Sequence, residues 1–89
     1  MADTDIYDEI REERRRQDAE WGGPDHDDTH TVEEFVGFIR EHAERGNTGY
    51  VVIQRKQMVR VAALAVAWIE KIDRDAARAA ESEEAAAGG

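Results

Sequence analysis

The chain contains no cysteine, which excludes disulfides and thiolate metal sites as supports for its fold. Proline occurs once, at Pro24, and aromatic residues make up only 7% of the sequence. Cations are in the minority: 12 Lys and Arg stand against 21 Asp and Glu, a formal net charge of -9. That balance argues against binding DNA or RNA through a broad basic face. The one basic cluster, Arg11 to Arg16, has the sequence REERRR with two glutamates inside it, as expected of a solvated helix face. Long apolar runs are also missing. The longest, Val61 to Ile69, has nine residues, against the ~20 that a membrane span needs. The opening MADTDIYDEI is acidic and lacks the apolar core of a signal peptide. These absences point to a soluble protein of the cytoplasm with no membrane association.

At 89 residues the chain is one domain, of a size at which a single core confers modest stability. What is present is concentrated in one place. The segment Met58 to Ile72 reads MVRVAALAVAWIEKI, and its centre carries no polar side chain. A helix that is apolar all round must be covered on every side. The remaining segments are short and highly charged, so a homo-oligomer, dimeric or higher, is expected to complete the cover.

The expected fold is all-α, an antiparallel bundle of three helices with a possible short fourth, around a central apolar helix. The first helix is predicted from about Asp5 to Glu20, with cap oxygens on Asp3, Thr4 and Asp5 and a thin apolar line through Ile6, Ile10, Gln17 and Trp21. GGPDHDDTH, from Gly22 to His30, is a loop by composition. Thr31 with Glu34 forms a capping box that starts the second helix, whose stripe is Val32, Phe35, Val36, Ile39 and Ala43. Gly46, Asn47 and Gly49 end it near Arg45. Tyr50 to Ile53 is β-prone, but a lone strand has no partner, so it starts, or leads into, the third helix, which runs to about Asp73. The domain thus spans 1–74, and 75–89 is an Ala/Glu-rich tail, partly helical or disordered. Phe35, Ile39, Val61, Leu64, Trp68 and Ile69 are the expected core or oligomer contacts.

Three groups of residues are candidates for chemistry. Asp25, His26, Asp27, Asp28 and His30 combine carboxylates with imidazoles, which either ligate a divalent metal or cap and solvate the following helix. Their spacing matches no calcium loop or zinc pattern. Glu41 and Glu44, three residues apart, share one face of the second helix and can jointly hold magnesium if a facing helix supplies a second acidic pair. The facing turn instead reads Arg55, Lys56, Gln57 and Arg60. These suit salt bridges or a phosphate, not a cation. Trp68 lies in the apolar run and is read as packing, while Trp21 either packs or stacks on a base. No Ser/His/Asp arrangement, phosphate-cradling glycine loop or cysteine nucleophile is present.

ERRRQDAEWGGPDHDD followed by RKQMVRVAALAVAWIEKIDR resembles small bacteriophage and prophage proteins similar to the MazG-like, all-α nucleotide pyrophosphohydrolases. Gln17, Trp21, Gly22 and His26 match the first motif, and Val59 to Glu70 match the second, within a resemblance covering about residues 6 to 74. It implies a helical bundle in which an E-E-x-x-E and an E-x-x-D motif hold magnesium, so that metal-bound water attacks a nucleoside triphosphate and releases pyrophosphate. The first motif falls on Glu41 to Arg45, where only Glu41 keeps an acid in register and Glu44 stands one position from the third. The second falls on Gln57 and Arg60, where no acid remains. Glu33 and Glu34 offer another pair on the second helix, equally without partners on the third.

Three functional readings follow. In the first the metal site is degenerate, no cofactor is used, and the protein acts by protein–protein interaction or by regulating a host factor. The second is a magnesium-dependent nucleoside triphosphate pyrophosphohydrolase using Glu41 and Glu44 with His26, Asp27 or Asp28. The third is a nucleotide-binding protein without hydrolysis, with Arg55, Lys56 and Arg60 on the phosphates.

Overall fold

The structure, a computed structural model, describes residues 5–23, 25 and 28–88. Among the described residues there are three helices and no strand: α1 (Ile6–Trp21), α2 (Val32–Arg45) and α3 (Val51–Gly88). None of them is long and apolar enough to cross a membrane. Both α1 and α2 pack on α3. Contacts run Phe35 to Trp68 and His42 to Gln57 between α2 and α3, which makes that pair antiparallel. Glu9 meets Arg55 and Glu13 meets Arg60, so α1 runs parallel to α3. The bundle is up-down-up.

The helix ends follow from local chemistry. Asp5 caps α1 by accepting the Tyr7 amide at 3.0 Å, and Asp8 and Glu9 sit in the first turn, where the helix dipole favours negative charge. Gly22 (φ 100°) and Gly23 (φ 73°) end it in the left-handed region, where only glycine fits without strain. The capping box of α2 is complete: Thr31 Oγ1 accepts the Glu34 amide, and a Glu34 carboxylate oxygen accepts the Thr31 amide, both at 3.2 Å. Gly46 then closes α2 against the next helix. A Cβ there would stand 3.0 Å from the Met58 methyl and 3.3 Å from the Ala43 carbonyl oxygen, so the turn approaches α3 as closely as it does because no side chain intervenes.

One boundary agrees with the sequence reading and one lies beyond it. Val51 is already helical, so the β-prone segment opens α3. At the other end α3 continues past Asp73 through the Ala/Glu-rich stretch as one helix of 38 residues. Alanine, glutamate and arginine are strong helix formers. Lys71 pairs with Asp75 at 2.7 Å, and Arg74 and Arg78 both bind Asp28 in the loop, which ties this stretch to the bundle.

The core is small. Phe35, Ala63 and Ala67 are its buried apolar residues, with Phe35 stacked on Trp68 at 5.6 Å between ring centroids. Ile39, Val61, Leu64 and Trp68 are half-buried as contacts of this core. Ile69 is not in the core of the single chain, being 56% exposed. On α2 the inward face is Phe35, Phe38 and His42, whereas Val32, Val36 and Ala43 of the expected stripe lie exposed. Phe38 turns in because Trp21 and His30 meet its ring.

Candidate anion-binding cavity

A cavity of about 370 Å³ lies where the three helices meet. Each helix contributes one face at helical spacing. From α1 come Arg14, Gln17 and Trp21; from α2 come Phe35, Phe38, His42 and Arg45; from α3 come Arg60, Leu64 and Ala67. The loop adds His30, whose ring stands edge-on to Phe35 at 5.6 Å and to Phe38 at 5.1 Å. Trp21 lies 6.4 Å from Phe38 between ring centroids. One wall is thus aromatic.

The rest of the lining is charged and its sign is opposite to that of the chain. Four guanidiniums, of Arg14, Arg16, Arg45 and Arg60, face two carboxylates, of Glu20 and Glu41. Arg45 is held by Glu41 and Arg16 by Glu13 and Glu20, so several of these cations are already positioned. Arg60 differs. Its side chain is 22% exposed, its Nε is 4.0 Å from a Glu13 carboxylate oxygen, and that nitrogen is buried with no hydrogen-bond partner. The residue itself lines the cavity, so its cationic charge stands at the site. Burial pushes the Glu13 carboxyl up, but its bonds and attraction to Arg16, with Arg60 adding to them, hold it below the ordinary glutamate value.

Two polar residues in this region are buried, Gln17 and Gln57. Gln57 Oε1 lies 2.8 Å from Nδ1 of His42, and since a carbonyl oxygen only accepts, the imidazole nitrogen donates. In the neutral ring this leaves Nε2 as the acceptor, on a residue that lines the cavity.

The residues singled out in the sequence fall into separate places. Glu41 lines the cavity, paired with Arg45, while Glu44 is exposed and outside it. On α3, Gln57 meets His42 and Arg60 meets Glu13 of α1. Asp28 is not held as a free ligand but clamped, by Arg74 at 2.8 Å and Arg78 at 2.6 Å, and those bonds take its carboxyl down to about 2. His26 and Asp27 lie outside the described residues. Asp25 is exposed, and His30 points to Glu34 with 3.2 Å between Nδ1 and the carboxylate. Among the described residues no three His, Asp or Glu side chains gather as a metal site.

The cationic trio on α3 does not converge. Arg60 enters the cavity, but Arg55 and Lys56 line a second, more open groove of about 560 Å³ with Glu9, Glu12 and Glu13. There Arg55 forms a two-pronged bond to Glu9, both contacts at 2.6 Å, which lowers the Glu9 carboxyl below its ordinary value. The residues that take their place beside Arg60 are Arg14, Arg16 and Arg45. Their signal in the sequence was the spacing of Arg14, Gln17 and Trp21 on one helix, and of Phe35, Phe38, His42 and Arg45 on another. No protein-family model matches the chain, and no curated protein or solved structure does either.

Proposed function

We infer that the protein is a small MazG-like helical protein that acts by binding, and that the cavity takes a nucleotide-like ligand joining an anionic group to a flat ring, with no hydrolysis. The observation that carries this reading is the meeting of Arg60 with three further guanidiniums in a cavity that has an aromatic wall. In this reading the guanidiniums bind phosphate oxygens, and Trp21, Phe38 or His30 stacks on the ring. His42, fixed by Gln57, accepts a proton-bearing group of the ligand through Nε2.

The degenerate metal site supports binding over catalysis. Where the resemblance implies acids on α3, Gln57 is committed to His42 and Arg60 carries positive charge, which repels a magnesium ion. Regulation of a host factor would follow from occupancy of the cavity, and self-association of the chain belongs to the same reading.

The test is titration with nucleoside mono-, di- and triphosphates without magnesium, followed by calorimetry and Trp21 fluorescence. Binding is expected, and Arg60→Ala should weaken it at least tenfold, about 1.4 kcal/mol. Nucleotide binding indifferent to Arg60→Ala would remove the proposal. Magnesium-dependent pyrophosphate release that is lost in Glu41→Gln would establish the hydrolase instead.

A further inference from the structure

We propose that a second copy of this chain docks antiparallel along the uncovered face of α3, and that this contact is the self-association of the reading above. The face turned away from α1 and from the body of α2 carries Ala62, Ala65, Ile69, Ile72 and Ala76, with Met58 at its start beside Gly46 of the α2–α3 turn, at alternating steps of four and three. That is the 3.5-residue repeat of a coiled-coil seam, sustained over about two and a half heptads. Met58, Ile69 and Ile72 are 45%, 56% and 52% exposed, so the single chain leaves the seam open.

Charge and size both select the occupant. Although 37% of the chain is charged, no charged residue stands on the seam or on its flanking positions Val59, Val61, Val66 and Trp68 from Met58 to Ile72. The charges within this stretch, on Arg60, Glu70 and Lys71, are turned to Glu13, Arg14 and Asp75. Only a neutral, apolar partner with the same repeat fits, and the chain itself carries such a surface. In the antiparallel register each layer joins one alanine to one bulky residue: Ile69 meets Ala65 of the other copy, Ile72 meets Ala62, and Met58 meets Ala76. The helices can then lie at a uniform, close distance. A parallel pair would place alanine on alanine, then isoleucine on isoleucine, and would stack the acidic ends. The contact is two-fold and closes on itself as a dimer.

Sedimentation of the full chain over a concentration series should show a monomer–dimer equilibrium. Ile69→Asp with Ile72→Asp should weaken it at least tenfold without changing helicity, since both side chains are exposed in the single chain. Because the chain has no cysteine, orientation can be read by cross-linking. Met58→Cys mixed with Ala76→Cys should form a disulfide dimer, and Met58→Cys alone should not. A chain monomeric at every concentration would remove self-association and the seam together. A dimer untouched by the double substitution would remove the seam but leave self-association, and a Met58→Cys homodimer would overturn the antiparallel register. None of these results bears on ligand binding in the cavity, which is read independently.

Discussion

Nδ1 of His42 lies 2.8 Å from Oε1 of Gln57, and this single bond joins the end of α2 to the first half of α3 beside the cavity. Gln57 is 7% exposed, so its amide has little water to fall back on. Gln57→Leu should destabilise the protein by about 1–3 kcal/mol, because the His42 donor loses its partner while the site stays buried. Denaturant unfolding measures this. His42→Leu combined with Gln57→Leu should cost less than the two single changes added together, since both halves of the pair are then gone.

Phe35 is the largest fully buried side chain and stacks on Trp68 with an interplanar angle of 4°. Phe35→Ala should cost about 3–5 kcal/mol. For a domain this small that is most of the stability available, and the variant should be largely unfolded by circular dichroism at room temperature. Ile69→Ala, on the open face of α3, should change the unfolding of the single chain by less than about 0.5 kcal/mol. Equal losses at the two positions would contradict a core centred on Phe35.

Arg60 should behave in the opposite way from Phe35. Its Nε makes no hydrogen bond and its guanidinium has already lost most of its water. Arg60→Met keeps the aliphatic stem and removes the buried charge. Its stability should equal or exceed that of the parent, by up to about 1 kcal/mol, while anion binding falls. A large loss of stability would make Arg60 a structural residue.

Asp28 sets an acid limit. Its folded value of about 2 lies below the ordinary 3.8, so its clamp on Arg74 and Arg78 is fully present above the ordinary value and is lost as pH falls from there through 2. Glu9, held down by Arg55, and Glu34, held down by the Thr31 amide and His30, lose their contributions as pH falls below the ordinary glutamate range, in the same direction. Stability should therefore decline on acidification. Asp28→Asn should flatten the part of the profile below the ordinary aspartate value, as followed by helicity against pH. A parallel profile in the variant would show that the clamp contributes nothing.

The architecture was legible in the sequence wherever the signal was local. The capping box of Thr31 and Glu34, the Gly22-Gly23 stop and the amphipathic periods are short-range patterns, and their helices stand where those patterns place them. The length of α3 was not legible, because the alanine-rich tail is compatible with helix or coil and the clamp from Asp28 spans about fifty residues. The cavity was legible only in pieces. His30, Glu41 and Arg60 stood out as residue types, but Phe38 and Arg14 did not, since their place in the lining depends on which face of each helix turns inward.

Sequence alone determined three helices, their caps and a strongly acidic composition, because composition and periodicity act within a few residues. Tertiary structure decided that Arg60 parts from Arg55, that four guanidiniums meet an aromatic wall, and that Ile69 and Ile72 stay uncovered. The physical reason is packing geometry: the rotation of each helix about its axis is settled by the neighbours it meets, and those neighbours are remote in the chain.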